Sequence, residues 1–238
     1  MTENAVKTIS YAVKKTMPVM FGYLFLGIAF GLLLREAGYG MVWAGLSSLL
    51  IYGGTIQFLS ITFLSGGVGL GTAAAMTLLV NGRHVFYGLS FIERFKKMGK
   101  AYPYMIFSLS DETYSLLCAE KPPAELDENR VFFLIALFDQ MYWVAGSVLG
   151  GLLGQFIPFD TTGVDFAMTA LFTVIFVEQW LEAKDHLPAL TGLASGVLCL
   201  AVFGPANFIL PSLVITVAAL LGVKGRLGKG EREEVTEK

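Results

Sequence analysis

The sequence predicts an all-α, polytopic integral membrane protein with about seven transmembrane helices, in a range of six to eight. Of its 238 residues, 55% are hydrophobic and 15% are charged, and the mean hydropathy is +0.64. The charged residues are concentrated in the two tails and in a few short loops, which leaves long uncharged stretches between them. This composition excludes a water-soluble globular protein. A net charge of −2 also gives no indication of nucleic-acid binding.

The candidate spans follow from length, because about 20 apolar residues cross the hydrocarbon core as a helix. The first span is predicted over 17–34, with Pro18 at its start, where a missing N–H costs nothing. The uncharged run 37–82 is too long for one helix, and Ser65-Gly66-Gly67 is expected to divide it. The further candidates are 68–92, 103–119, 131–154, 164–181, 187–203 and 206–223.

The distribution of Lys and Arg indicates the topology, since short basic loops favour the cytoplasmic side. It predicts a polar cytoplasmic tail at 1–15, a single transmembrane domain at 16–223 and a charged cytoplasmic tail at 224–238. Placing the basic cluster 94–100 inside as well requires one earlier segment to fold back part-way, at Gly53-Gly54 or at Ser65-Gly66-Gly67. A second re-entrant segment at 103–119 then places the C-terminal tail inside. The alternative is seven complete spans with the C-terminus outside.

The first candidate site is the motif YGGTIQF at 52–58. Polar groups at membrane depth are costly and are therefore candidate functional residues. Gly53 and Gly54 could let a helix open and expose backbone groups beside Gln57 and Phe58, as in the discontinuous helices of transporters. The alternative is close helix packing through small residues.

The second and third candidate sites are NGRH at 81–84 and SLSDETY at 108–114. Arg83 could bind a carboxylate bidentately, and His84 could relay a proton, unless both extend to lipid headgroups. In the third motif, Ser110 or Asp111 is the expected helix N-cap. Asp111 and Glu112 could pair with Arg83, or bind a proton or an ammonium group, unless they form a solvated interfacial cap.

The fourth candidate site lies in the second half of the chain. Asp139 interrupts the apolar run 131–154 and is followed by Tyr142 and Trp143. Asp165 and Glu178 are interpreted as residues at span boundaries, and Asn207 follows a Gly-Pro break. In the same run, Gly146, Gly150 and Gly154 form a small-residue pattern that predicts close approach of a partner helix.

No nucleotide-binding, hydrolase or zinc motif appears, so no cofactor and no metal site is predicted. Cys118 and Cys199 are interpreted as buried free thiols, because they lack a metal-ligand or disulfide spacing. Direct ATP-driven transport by this chain alone is not expected.

Taken together and in order, several motifs resemble one known family, the AzlC family of permeases, which is the large subunit of branched-chain amino acid exporters. The resemblance covers about residues 10–223, with one departure at Thr55, where the family often has another small residue. The motifs are Pro18 with GYLFLGIAFG (22–31), YGGTIQF (52–58), NGRHVFYG (81–88), SDETY (110–114), YWVAGSVLGGLLG (142–154) and DFAMTALF (165–172).

The resemblance implies a secondary-transporter subunit, not an enzyme, that exports valine, leucine, isoleucine and also methionine, driven by an ion gradient, with H⁺ as the expected ion. It also implies a small AzlD-type membrane subunit as partner and a multi-pass location in a bacterial-type inner membrane, with both termini cytoplasmic. A zwitterion with a branched side chain needs a carboxylate partner, an ammonium partner and a dry pocket.

The sequence offers candidate residues for the carboxylate partner, the ammonium partner and the dry pocket. Arg83 or N–H groups near Gly53 could bind the carboxylate, acidic side chains could bind the ammonium group, and Phe86 is among the aromatic residues that could line the pocket. The expected substrate-binding residues are Gly53, Gly54, Gln57, Phe58, Asn81, Arg83, Tyr142 and Trp143. The expected proton- or ion-coupling residues are His84, Asp111, Glu112 and Asp139.

Two other functions remain open at this point. A channel or facilitator for a small polar solute could use the segments near Gly53 and Asn81 as opposed half-helices lining a pore. A membrane-embedded enzyme using Asp111, Glu112 and His84 is a remote alternative, because no recognised motif supports it.

Overall fold

The computed structural model describes residues 3–156, 173, 176–177, 180–181, 183, 185–205, 208–209 and 211–222, with the backbone alone at Glu3 and Arg83. Every regular element within these ranges is helical. The predicted span at 164–181 lies largely outside the described residues, as do Asp165, Glu178, Asn207 and the tail 224–238.

Helix α1 runs from Glu3 to Glu36 and therefore begins well before the predicted span. The segment predicted as a polar tail is helical from Glu3, and Thr8, Ala12 and Thr16 on one face of it are buried. Pro18 lies inside the helix and not at its start, so that prediction is wrong. The length of an apolar run predicts only the membrane-embedded part of a helix. Helix α1 extends beyond that part because Thr8, Ala12 and Thr16, which are spaced four residues apart on one face, pack against the rest of the protein.

Two short helices replace the second predicted span. Helix α2 covers Met41–Leu50 and helix α3 covers Gly54–Ser65. Their 10 and 12 residues correspond to about 15 and 18 Å of rise, roughly half of the ~30 Å hydrocarbon core each. The predicted break at Gly53-Gly54 is confirmed. So is the division at Ser65-Gly66-Gly67, where Gly67 adopts a φ of 61°.

Helix α4 is continuous over Leu70–Phe95 and leads through a 3₁₀ segment, Lys96–Ala101, to a second broken region. That region consists of helix α5, Tyr102–Phe107, and helix α6, Asp111–Ala119. The predicted interruption within 103–119 is therefore confirmed, although its path relative to the membrane stays a prediction.

Helix α7 spans Glu128–Leu153, starts at the N-cap Asp127 and ends at Gly154. Helix α8 covers Leu187–Phe203 and helix α9 covers Pro211–Gly222. Cys199 in α8 is buried as expected, whereas Cys118 in α6 is exposed, and both thiols are free.

The chain divides into two compact units. One is formed by Met1–Gly69 and Val80–Thr161, and the other by Leu70–Leu79 and Thr162–Lys238. The main hydrophobic core of the first unit brings together α1, α4, α5, α6 and α7. Its buried residues are Ala12, Phe91, Phe95, Met105, Leu109, Leu117, Val131, Phe132, Ile135 and Ala136. In the second unit, the hydroxyls of Ser195 and Thr216 join α8 to α9 by a hydrogen bond.

Two helices within the described ranges are long and apolar enough to cross a membrane, Asn4–Glu36 and Glu128–Leu153. Five more are apolar but shorter: Met41–Leu50, Gly54–Ser65, Leu70–Gly82, Leu187–Phe203 and Pro211–Gly222. The all-helical fold class is confirmed, whereas the number of about seven spans stays a prediction.

Candidate functional site

Helices α1 and α7 form the frame of the candidate site by packing backbone against backbone. A Cβ added to Gly31 of α1 would stand 2.1 Å from a carbonyl oxygen of α7, and one added to Gly150 would stand 2.1 Å from a carbonyl oxygen of α1. Added Cβ atoms at Gly146 and Gly154 would also crowd α1. The predicted close approach at these α7 glycines is confirmed, and the partner helix is α1.

The break between α2 and α3 brings an irregular stretch of backbone against α7. Tyr52 adopts a φ of 45°, a conformation that costs a non-glycine residue about 1–3 kcal/mol. Gly53 follows in an extended conformation as the N-cap of α3, and a Cβ there would lie 2.9 Å from the side chain of Ile56. A Cβ on Gly54 would contact the indole of Trp143 at 3.5 Å. The backbone therefore approaches α7 closely at this break.

Gln57 holds the first break to the frame through hydrogen bonds on both ends of its amide. Its Oε1 accepts from Trp143 Nε1 over 2.8 Å and from the backbone N–H of Gly53 over 3.3 Å. Its Nε2 donates to Ser48 Oγ over 3.0 Å, and that hydroxyl donates to Ser147 Oγ over 2.7 Å. Because Gln57 is fully buried, these bonds satisfy a side chain that would otherwise be costly to dehydrate.

The second break, between α5 and α6, places a hydroxyl cluster beside the middle of α7. Ser110 is the N-cap of α6, and its Oγ accepts from the backbone N–H of Thr113 over 3.1 Å. The predicted capping by Ser110 is confirmed. Thr113 Oγ1 donates to Asp139 Oδ2 over 2.8 Å, so this break is tied to the carboxylate in α7.

The two breaks meet at a buried polar position. The rings of Tyr52 and Phe107 are in contact, with centroids 6.3 Å apart, and Tyr52 lies within electrostatic range of Asp139. Asp139 Oδ1 is buried without a hydrogen-bond partner among the described residues, and Tyr52 Oη is buried near the side chain of Thr113 without a hydrogen bond of good geometry. Such groups are costly and uncommon in native proteins, and they indicate a place where a ligand can bind.

The residues from the NGRH motif lie at the edge of this region. The side-chain amide of Asn81 is 3.8 Å from the position of a Cβ on Gly53, which puts Asn81 beside the first break. His84 Nδ1 is 3.2 Å from the Asn81 carbonyl oxygen, and its ring contacts Tyr87. The side chain of Arg83 lies outside the described residues, so its expected role stays a prediction.

The two acidic residues at the start of α6 point to different partners. Asp111 Oδ1 accepts from Tyr87 Oη over 2.7 Å. Glu112 Oε2 accepts from Tyr23 Oη over 2.7 Å, and that same phenol lies 2.6 Å from Ser110 Oγ. Glu112 is exposed, whereas Asp139 is fully buried. The four predicted coupling residues are therefore distributed over α4, α6 and α7, and their role in coupling stays a prediction.

The aromatic residues expected to line a pocket separate into two groups. Trp143 and Phe58 are buried, and both contact Phe30 of α1. Tyr142 faces away from them, and its hydroxyl is 3.2 Å from Thr16 Oγ1. Phe86 is 67% exposed. The first group belongs to the region of the breaks, and the structure does not bring Tyr142 or Phe86 to it.

Several polar residues of this region were not assigned a binding or coupling role from the sequence, although Tyr52 and Thr113 lie inside candidate motifs and Gln140 follows Asp139. They are Tyr23, Ser48, Tyr52, Thr113, Gln140 and Ser147. Ser48 and Tyr52 were detectable, because both are polar residues in a run without charges. Tyr23 and Ser147 carried no such signal, since their partners are distant in sequence.

A separate open cavity of about 500 Å³ lies in the same unit, beside the first turns of α1 and α7 and the 3₁₀ segment. Its lining includes Thr8, Lys97, Asn129, Arg130 and Phe133. None of the predicted site residues contributes to that lining. We therefore locate the candidate site at the helix breaks and not at this cavity.

The described part of this strongly apolar chain is all-helical, and its composition and long apolar helices are those of an integral membrane protein. The profile of the AzlC protein family matches residues 18–157. The chain therefore belongs to the AzlC family, and the resemblance noted from its motifs is confirmed.

Individual relatives agree with this family membership. The branched-chain amino acid transport protein AzlC of Bacillus subtilis (strain 168) is 39% identical over 91% of this chain and 85% of its own length. An uncharacterized membrane protein of Helicobacter pylori (strain J99) is 41% identical over 90% of this chain and 94% of its own. The inner membrane protein YgaZ of Escherichia coli (strain K12) is 29% identical over 79% and 81%. No solved structure shows significant similarity to this chain.

Proposed function

We propose that this chain is the transport subunit of a secondary exporter of branched-chain amino acids, with valine, leucine, isoleucine and methionine as candidate substrates. The observation that carries the proposal is the unpartnered carboxylate oxygen of Asp139, buried where the two broken helices meet. The name of the Bacillus subtilis relative supports the choice of substrate class.

The ammonium group of the substrate is assigned to Asp139 Oδ1 and Tyr52 Oη. A carboxylate and a phenol oxygen can together accept two of the three ammonium hydrogens. Each is buried with no partner among the described residues, so an ammonium group can bind there without breaking an existing protein hydrogen bond. A charge-assisted bond of this kind contributes about 1.5–3 kcal/mol.

The carboxylate group of the substrate is assigned to the N-terminus of α3. The first N–H groups of a helix lack partners within it, and the helix dipole favours an anion there. Gly53 and Gly54 allow close approach to this backbone, and Asn81 lies beside it. Arg83 remains a proposed partner for the same group. The buried ring of Trp143 and the ring of Phe107, which is 44% exposed, are the aromatic groups assigned to contact the apolar side chain of the substrate.

We further infer, from the family resemblance, that export is driven by an H⁺ gradient and requires a small AzlD-type subunit. The placement in a bacterial inner membrane with both termini in the cytoplasm follows the basic residues Lys7, Lys14 and Lys15. The outer face of α2 carries large exposed apolar side chains, as expected for contact with lipid or with such a subunit. They are Val42, Trp43, Leu46, Leu49 and Leu50.

The proposal is tested by efflux from cells loaded with dipeptides of valine, leucine, isoleucine or methionine. The cells express this chain with or without its small membrane-protein neighbour, and the inactive control is a pair containing Asp139→Asn. Faster efflux from cells with the intact pair than from control cells supports the exporter. If cells with the intact pair and control cells release each of the four amino acids at the same rate, the exporter is rejected. A solute flux that does not depend on the proton gradient would favour the alternative function of a channel or facilitator.

A further inference from the structure

A continuous chain of hydrogen bonds connects an exposed carboxylate to the buried one. Tyr23 Oη lies 2.7 Å from Glu112 Oε2 and 2.6 Å from Ser110 Oγ. Ser110 Oγ donates to Thr113 Oγ1 over 3.0 Å, and Thr113 Oγ1 donates to Asp139 Oδ2 over 2.8 Å. Three hydroxyl groups from two helices thus bridge Glu112 at the surface and Asp139 in the interior.

Helix capping accounts for only part of this arrangement. The cap requires Ser110 Oγ to accept from the backbone N–H of Thr113, as it does. It does not require the phenol of Tyr23, which comes from α1, nor the bond from Thr113 to α7. Each hydroxyl can accept one hydrogen bond and donate another, and the donors from Ser110 and Thr113 both point toward Asp139. The chain therefore has the order that a proton relay needs.

We propose that these hydroxyls conduct a proton from Glu112 to Asp139, and that its arrival releases the substrate's ammonium group from Asp139. This inference rests on the proposed amino acid export. In the transfer, the O–H bond of protonated Glu112 breaks as one forms on Tyr23 Oη. The phenol gives its own proton to Ser110, Ser110 gives its proton to Thr113, and Thr113 gives its proton to Asp139 Oδ2. Glu112 ends as a carboxylate and Asp139 as a neutral acid, so one proton has moved.

The two oxygens of Asp139 take separate roles in this scheme. Oδ2 accepts from Thr113 and ends the relay, whereas Oδ1 is buried without a partner among the described residues and is the oxygen assigned to the substrate. Protonation neutralises the carboxylate, so a protonated Asp139 binds an ammonium group more weakly than a charged one does. Proton and substrate therefore compete for Asp139, which couples proton entry to amino acid exit.

Few other ionisable groups act on this carboxylate within the part of the chain that the structure describes. Those within electrostatic range are Tyr52 from the first break, Tyr104 from α5 and Glu112 itself from α6. Tyr104 already donates to Gln140 Oε1 over 2.9 Å. Among the side chains that the structure describes, none is a cation in contact with Asp139, which leaves its carboxylate available to a transported cationic group.

The first test uses the full chain, with its small membrane subunit, reconstituted in liposomes. Valine exchange at equal pH and valine movement driven by a pH gradient are measured for wild type and for Tyr23→Phe, which removes one relay oxygen and keeps the ring. We expect the gradient-driven rate to fall about tenfold while exchange changes by about twofold or less, because hydroxyl relays are what proton-coupled movement requires.

A matched control variant and a pair of Thr113 variants distinguish loss of the relay from a general effect of substitution. Tyr11→Phe removes a phenol on the same helix that also donates to a carboxylate, that of Glu120, and both rates should stay at wild-type values. Thr113→Val should behave like Tyr23→Phe, whereas Thr113→Ser keeps the hydroxyl and should restore gradient-driven movement. A gradient-driven rate in Tyr23→Phe equal to that of wild type would overturn the relay.

The second test needs no transport. After a rapid drop in pH, the infrared C=O band of protonated Asp139, identified by its loss in Asp139→Asn, should rise about tenfold more slowly in Tyr23→Phe than in wild type. An equally fast rise would reject the relay even if amino acid export is intact. Conversely, the infrared band could rise more slowly in Tyr23→Phe while none of the four amino acids is transported. That result would reject the proposed substrates but support the relay.

Discussion

Tyr52, in the break between α2 and α3, contacts Phe107 at the end of α5, with their ring centroids 6.3 Å apart. This contact joins two regions in which the helical backbone is interrupted. Each interruption alone could be a packing feature. Their meeting beside Asp139 of α7 creates a buried polar position enclosed by three separate parts of the chain, and the following predictions concern that position and its frame.

Asp139→Asn should abolish most export while leaving the protein folded. The amide keeps the shape of the carboxylate and can still accept from Thr113, but it lacks the charge that attracts ammonium. Loss of a charge-assisted bond of about 2–3 kcal/mol corresponds to a roughly 30- to 140-fold loss in affinity. Efflux and binding of valine measure this. Asp127→Asn at the start of the same helix is the control, because asparagine caps a helix equally well. Wild-type affinity in Asp139→Asn would contradict the assigned site.

Tyr52→Phe should stabilise the protein and weaken its function together. The phenol oxygen is buried without a described partner, so its removal relieves an unfavourable dehydration of about 1–2 kcal/mol. The apparent melting temperature in detergent should rise, while substrate affinity falls about tenfold. Tyr39→Phe, at a partly exposed tyrosine in the α1–α2 connection, should change neither quantity. A lower melting temperature for Tyr52→Phe would indicate that the hydroxyl has a structural partner instead.

Gly150→Ala should destabilise the contact between α1 and α7. The added methyl would stand 2.1 Å from a carbonyl oxygen of α1, and overpacking of this kind costs about 1–3 kcal/mol. Gly22→Ala is the matched control, since the space around Gly22 is open within 4 Å and alanine favours a helix by about 1 kcal/mol. Thermal unfolding in detergent should therefore shift down for Gly150→Ala and stay level or shift up for Gly22→Ala. Equal melting temperatures would mean that the two helices can separate freely.

The pH dependence of stability should contain a contribution from Glu120, which lies outside the spanning helices at the end of α6. Burial raises the pKa of its carboxyl group, but the hydrogen bonds from Tyr11 and Lys15, together with the charge of Lys15, lower the pKa below its ordinary value of 4.5. Because the pKa is lower in the folded state, the carboxylate stabilises the fold above pH 4.5. That stabilisation is lost as the pH falls through the folded-state pKa.

Melting curves of wild type and Glu120→Gln from about pH 7 to about pH 3 measure this contribution. Lys15 is 45% exposed, so the difference between the two proteins should be about 1 kcal/mol or less near neutral pH. It should shrink toward zero at the acidic end. A difference that stays constant down to pH 3 would assign the effect of the substitution to packing and not to charge.

The local features of the fold were predictable because they depend on neighbouring residues. Paired glycines at 53 and 54 indicated a helix break, Ser65-Gly66-Gly67 a helix end, and Ser110 a helix N-cap. Each is decided within one turn of chain. The start of α1 was not predictable in this way, since Thr8, Ala12 and Thr16 are buried by residues far away in sequence.

The candidate site was predictable only in part for the same reason. Asp139 was identified because a carboxylate in an apolar run is costly wherever it lies. Its relation to Tyr52 depends on the packing of separate segments, which periodicity does not report. Tyr142 and Trp143 were grouped as neighbours in sequence, but successive helical residues differ by about 100° in direction, and the two side chains face different partners.

The glycine contact between α1 and α7 also determines which parts of the molecule can move. Two helices whose backbones touch cannot slide along each other without steric collision, so α1 and α7 should keep a fixed position relative to each other. The short helices α2, α3, α5 and α6 are each too short to span the membrane, and each ends where the helical backbone is interrupted. If transport proceeds as proposed, we expect these short helices to move while α1 and α7 stay fixed relative to each other.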